Sequence, residues 1–176
     1  MNSFRPVLED LLHVGDRMAG AIFSQNRSHR YMLWRVFDDP SSSLREAVFI
    51  MLNPSTADEK KLDPTVTRCA DFAKRWGYGS IKVVNLFGIV SADPKILFTH
   101  PNPIGRSNNA AIISAAYMAE LVIVAWGAHP KARKRASEVI GDLKFNSVHP
   151  KCLGKTKAGF PRHPLYLRSD TQPIEF

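Results

Sequence analysis

Apolar residues at Val7, Leu11, Val14, Met18 and Ile22 recur in steps of four, three, four and four. That spacing keeps them on one helical face and predicts a helix over the opening stretch, weakened by Gly15 and Gly20. Farther along, the period changes. The segments "EAVFIML" (46–52), "IKVVNLF" (81–87) and "ELVIVAW" (120–126) are short, nearly continuous apolar runs rich in Val and Ile. Such runs predict strands covered on both faces. "RYMLWRVF" (30–37) mixes apolar residues with Arg and predicts an edge strand.

Helices are predicted between these runs. Asp63-Pro64-Thr65 is a start signal, an N-cap acid followed by proline at the first helical position. The helix it opens, "PTVTRCADFAKRW", stops at Gly77. "NNAAIISAAYMA" (108–119) and "PKARKRASEVIGDL" (130–143) are the other helical candidates. Strands alternating with helices predict an α/β fold, a three-layer sandwich with a largely parallel central sheet. The 176 residues fit a single domain with a helical extension over 1–29.

Composition narrows the class. Hydrophobic residues make up 44% and charged residues 23%, as in a folded soluble protein. No apolar run approaches the roughly 18 residues that span a bilayer, so no membrane partner is expected. The N-terminus lacks a compact apolar signal region, and the expected location is cytoplasmic. Cys69 and Cys152 stand outside any ligand spacing, which argues against a zinc site or a disulfide framework. No cofactor motif is present.

The net charge of +8 is unevenly spread. From Gly127 to Arg168 there are ten Lys or Arg against two acids, Glu138 and Asp142, and the rest of the chain cancels. Two readings compete: a solvated surface, or a face for a polyanion. The second is preferred.

In a parallel sheet, ligands bind outside the carboxyl ends of the strands. The run 46–52 ends in Asn53-Pro54-Ser55-Thr56, and 81–87 carries Asn85 and Phe87 near its end. The run 120–126 leads into Trp126-Gly127-Ala128-His129. A loop-like fourth cluster, "LGKTKAGFPRHPLYL" (153–167), supplies Lys155, Thr156, Lys157, Arg162 and His163. Each has a plain structural explanation when taken alone. Asn53-Pro54 makes a good turn, and Tyr31, Phe87 and Trp126 suit a core. Arg68 and the loop lysines suit a solvated surface. Asn85 is harder to dismiss, because an amide inside "VVNLF" is buried and must find partners. Asp63 is accounted for as a cap and Asp93-Pro94 as a turn or helix start, which leaves metal disfavoured.

Taken together, "RYMLWRVF", "FIMLNPSTAD", "DPTVTRCADFAKRWGYG", "VVNLFGIVSADP", "IGRSNNAAI", "VIVAWGAHP" and "LGKTKAGFPRHPLYL" resemble the domain-of-unknown-function-1643 family over about 30–167. So many ordered motifs are more specific than any one of them. Their order also resembles, more distantly, that of the uracil-DNA glycosylase superfamily. "MLNPS" is similar to that superfamily's water-activating loop, with Met51 in place of its glycine. Asn53 then matches a water-positioning residue, Asn85 a base-reading residue, and His163-Pro164 the His-Pro of the final motif.

The resemblance implies an α/β sandwich that binds DNA and excises a flipped base by N-glycosidic hydrolysis. Asn53 and His163 would be the catalytic pair. Asn85 would bind the base edge, with Phe87 or Tyr31 stacking on the base. Ser55, Thr56, Arg68, Lys155, Lys157 and Arg162 would contact phosphate. Two rivals remain: a binder of nucleic acid or nucleotide without excision, and a hydrolase or transferase acting on a free nucleoside or nucleotide.

Overall fold

The structure, a computed structural model, describes residues 11–37 and 45–176. Eight strands form one sheet: β1 (Leu11–Gly15), β2 (Ala19–Ser24), β3 (Arg30–Val36), β4 (Glu46–Met51), β5 (Ser80–Asn85), β6 (Leu121–Val124), β7 (Lys151–Cys152) and β8 (Ile174–Glu175). Their order is β1-β2-β3-β5-β4-β6-β7-β8. Among the described residues three α-helices cover it: α1 (Pro64–Arg75), α2 (Asn108–Met118) and α3 (Arg133–Phe145).

Only the centre of the sheet is parallel. β4 pairs in parallel with β5 and β6, and β6 with β7, while β1, β2, β3 and β8 all join antiparallel. The expectation of a largely parallel sheet therefore gives way to a mixed one. The parallel pairs are those joined by helical crossovers, and the remaining strands come from hairpins and end segments that need none.

The opening helix is also corrected. Its described part is a hairpin of β1 and β2, and Val7 lies outside the described residues. Gly15 has a φ of +98°, and the Asp16 carboxylate accepts from the backbone N–H groups of Met18 and Ala19 at 2.7 and 3.0 Å. The chain therefore turns where the helical pattern would continue. Alternation decides the buried face instead: Leu12, Val14, Ala21 and Phe23 all pack into one core layer.

β3 is interior, held by β2 and β5, so the predicted edge strand is a second correction. Its arginines do not mark a solvent edge. The expected N-cap is present: the Asp63 carboxylate accepts from Val66 N–H at 2.8 Å, with Pro64 opening α1.

α1 packs one face of the sheet through Val66, Cys69, Phe72 and Ala73, against Phe49, Val83 and Ile123. α2 and α3 pack the other, bringing Ile112, Ala115, Val139 and Leu143 onto Val48, Ile50, Val84 and Val124. Phe49 lies at the centre of the first layer, fully buried and stacked on Trp76 with 6.2 Å between ring centroids. Truncating it, as Phe49→Ala, removes a filled ring from a layer that cannot collapse onto the gap. We expect a loss of about 3–5 kcal/mol by chemical denaturation. A loss below about 1 kcal/mol would mean that this layer is not close-packed.

Candidate functional site

The connections fix where a crevice opens. After β4 the chain leaves for α1 on one face, whereas after β5 and β6 it leaves for α2 and α3 on the other. Adjacent loops diverging to opposite faces open a gap at the carboxyl ends of the strands. Asn53 follows β4 and Asn85 ends β5, so both stand at that gap.

Met51 faces Asn85 in register, and Met51 belongs to the α1-side layer with Phe49 and Val83. Alternation therefore directs the Asn85 side chain to the α1 face. It is 1% exposed, and its amide nitrogen has no hydrogen-bond partner among the described residues. Its backbone carbonyl is held, accepting from Asn108 Nδ2 at 2.9 Å. Leaving such a donor unpaired costs about 1–3 kcal/mol, so this amide needs an explanation.

A shift in the β2–β3 register brings a second group to the same face. Ile22 pairs with Met32, but Phe23 pairs with Arg30, so Tyr31 is the extra residue. Arg30 is thereby aimed at the α1 face, 2% exposed. Its guanidinium donates to the Ala57 carbonyl, and its Nε lacks a partner among the described residues. Burial pulls its pKa down to about 10, with Asp63 and Asp58 opposing, so it stays charged at neutral pH.

Two more arginines of this hairpin grip the adjoining loop. Arg35 donates to the Asp58 carbonyl at 2.6 Å, and Arg27 pairs with Glu59 at 2.9 Å. Three successive loop residues are thus fastened by three arginines. Asn53 is fixed as well: its amide nitrogen donates to the carbonyls of Pro54 and Ser91, at 2.9 and 2.8 Å. With both amide hydrogens taken up, its Oδ1 is the group left to face a ligand. Ser55 is half-buried and Thr56 exposed, just past Asn53 on the same loop.

His163 approaches from the last loop. It stands next to Gly127, where an added Cβ would lie 3.8 Å from the His163 Cβ. The Leu165 N–H donates to His163 Nδ1 at 3.3 Å. An accepting Nδ1 carries no proton, so the neutral ring must carry its hydrogen on Nε2. Burial lowers its pKa from the ordinary value of 6.5, with the Asp63 carboxylate opposing. The ring is therefore a neutral donor at neutral pH. Asp63 raises the pKa of both Arg30 and His163, so its charge reaches both groups.

The family described as Protein of unknown function (DUF1643) matches residues 30–165. The chain belongs to the DUF1643 family. No curated protein and no solved structure matches it. The matched span of this DUF1643 protein runs from Arg30 through Asn53, Asp63 and Asn85 to His163, and leaves β1 and β2 outside.

Several expected site residues serve elsewhere in the DUF1643 chain. Tyr31, turned by the bulge, accepts from the N–H groups of Arg106 and Ser107 ahead of α2. Phe87 packs edge-on against Phe98, 5.9 Å between centroids, in the layer under α2 and α3. Phe87 thus lies in the layer opposite to the α1 face that Asn85 occupies, and the Tyr31 ring lies against Gly88 and Gly105. Arg68 donates to the Leu167 carbonyl and lies 4.8 Å above the Phe72 ring, anchoring the segment after His163 to α1. Lys155, Lys157 and Arg162 are exposed on the loop that leads to His163. That loop is closed by Arg162 N–H to Gly154 O at 2.9 Å and Thr156 N–H to Phe160 O at 2.8 Å.

Sequence reasoning missed Arg30 and saw Asp63 only as a cap. An Arg beside an apolar run was the sole signal for the first, and a bulge is not visible in composition. Asp63→Asn isolates the second role, because Asn caps helices as well as Asp. Removing the carboxylate removes the one charge raising the His163 pKa. A ring-proton NMR titration is expected to show that pKa falling further below 6.5, with helix content unchanged. A rise would overturn the attraction between the Asp63 carboxylate and the His163 ring.

Proposed function

We propose that this protein binds nucleic acid and hydrolyses the N-glycosidic bond of a flipped base, in the manner of the uracil-DNA glycosylase superfamily that its motifs resemble. The observation that carries the reading is the Asn85 amide. It is buried, unpaired among the described residues, and set where the β4 and β5 connections diverge. A base edge supplies the partners it lacks. Arg30 and His163 support the same reading, since each carries a donor suited to the negative charge that develops on a departing base.

In this reaction the C1′–N bond breaks and its electron pair leaves with the base. A water oxygen then bonds to C1′, and the proton lost by the water ends on the base. Asn85 holds the base edge while His163 Nε2–H donates to a base oxygen. The buried Arg30 charge stabilises the anion. Asn53 Oδ1 accepts from the water and aims it, but a neutral amide takes no proton. Leu165 and Tyr166, 40% and 84% exposed just past His163-Pro164, would fill the gap left in a duplex by a flipped base. The exposed Lys155, Lys157 and Arg162 supply attraction to the phosphate backbone.

One observation favours a second reading, a base binder without excision: the first polar residue after β4 is Asn53 rather than a carboxylate. Oligonucleotides carrying uracil, hypoxanthine or hydroxymethylated bases, treated with alkali after incubation, separate the two. Excision predicts strand breaks, with Asn85→Ala and His163→Ala each slowing them about 10²–10³-fold. Salt-sensitive binding with no breaks on any substrate would leave only the binder.

The pH profile has a defined sign. Protonation of His163 places a hydrogen on Nδ1, which then no longer accepts from the Leu165 N–H that orients the ring, and its lowered pKa delays that protonation. The excision rate is expected to stay level from about pH 8 down through 6.5 and to fall only in more acidic buffer. A fall centred above 6.5 would exclude His163 as the group responsible.

Replacing Lys155, Lys157 and Arg162 together with Ala is expected to flatten the log–log salt dependence of duplex binding by about 2.7, or about 0.9 for each phosphate no longer neutralised. An unchanged slope would place the phosphate-binding cations elsewhere.

A further inference from the structure

Across the sheet from Asn85, a cleft of about 260 Å³ lies between the start of α3, the loop 158–161 and Phe176. Trp126 forms one wall, just past the end of β6. It is 3% exposed, and its indole N–H has no acceptor among the described residues. Indole nitrogen only donates, and buried donors are normally paired. The remaining walls are aromatic and apolar. Phe176 meets Trp126 edge-on, with 5.8 Å between ring centroids. Phe160 also lines the cleft, with the Arg133 guanidinium 4.6 Å from its ring centroid. Lys155 Nζ stands 5.3 Å from the Phe176 centroid. None of the lining residues is acidic, and Ser137 adds a hydroxyl.

Rings that line a small cleft and carry cations at their faces suit one kind of guest. It must be flat, offer a hydrogen-bond acceptor to Trp126 and bear negative charge. An apolar segment would fill the cleft but leave Arg133, Lys155 and the indole N–H without partners. We propose that the cleft is a second nucleotide site. One nucleotide places its base against Trp126, Phe160 and Phe176, and its phosphate between Arg133 and Lys155. Stacking of this kind accepts any base. The indole N–H lies sealed beneath the wall, so the base reaches it as the 158–161 loop shifts. Gly159 at that loop's tip has open space around it. The site stands independently of excision at Asn85. The loop 154–163 joins the two places, so one strand can occupy both.

The test uses the full chain, labelled with ¹⁵N and titrated with thymidine 5′-monophosphate, thymidine or inorganic phosphate. Trp34, Trp76 and Trp126 each give an indole N–H signal, and Trp126→Phe assigns the third. The monophosphate is expected to shift the Trp126 signal saturably, and thymidine to do so at least about tenfold more weakly, since it lacks the charge that Arg133 and Lys155 meet. Phosphate alone should leave the signal in place. Arg133→Ala is expected to weaken the monophosphate about tenfold, while Asn85→Ala changes nothing. A Trp126 signal unmoved by millimolar monophosphate would overturn the proposal. So would equal affinity for thymidine, or loss of the shift in Asn85→Ala, which would put the nucleotide at the other site. Failure of excision with this shift intact would count against the function proposed above and not against this site.

Discussion

The rim of this protein depends on how β4 is held. It is gripped on both edges by parallel neighbours, β5 and β6, and its own connection leaves for the face opposite to theirs. Parallel pairing sets the strand ends level, and the divergence keeps the loops after β4 and β5 from closing over the gap between them. Phe49 and Ile50, both fully buried, face opposite layers and prevent β4 from slipping. A one-residue slip would exchange those two faces and carry Met51 away from Asn85.

A rigid sheet then carries groups that are unfavourable by themselves. A buried guanidinium, an unpaired amide and a histidine held neutral are each out of place in an apolar layer. The guanidinium and the histidine both feel the charge of one carboxylate, Asp63, which also caps α1. That sharing ties the start of the helix to the charge balance of the crevice. The arginines of the β2–β3 hairpin fasten residues 57–59 from outside, so the loop after β4 has its shape imposed by a hairpin distant in sequence.

The central elements were legible because each obeys a single period. The three apolar runs became β4, β5 and β6, and the Asp63-Pro64 signal became the start of α1. Legibility failed where two periods overlapped. Spacing of four and three through Leu11, Val14, Met18 and Ile22 suited a helix, but alternation through Leu12, Val14, Ala21 and Phe23 gave the buried face. Asp16 and Gly15 settled the contest locally, with a turn that no helix can contain. At the candidate site, Asn53, Asn85 and His163 could be picked out as polar groups at strand ends and in a glycine- and proline-rich loop. Tyr31 and Arg30 could not be sorted from each other, because one extra residue in β3 exchanges the faces they occupy.

By itself, then, the sequence determined which segments are strands and helices at the core, where the polar groups interrupt them, and that the positive charge gathers in the last third. Those properties reside in periodicity and composition, which are local. The tertiary structure alone decided that the sheet is mixed, that Arg30 shares the α1 face of the sheet with Asn85, and that the Asp63 charge reaches both Arg30 and His163. These depend on pairing register and on which face each connection takes, and both are set by contacts between residues far apart in the chain.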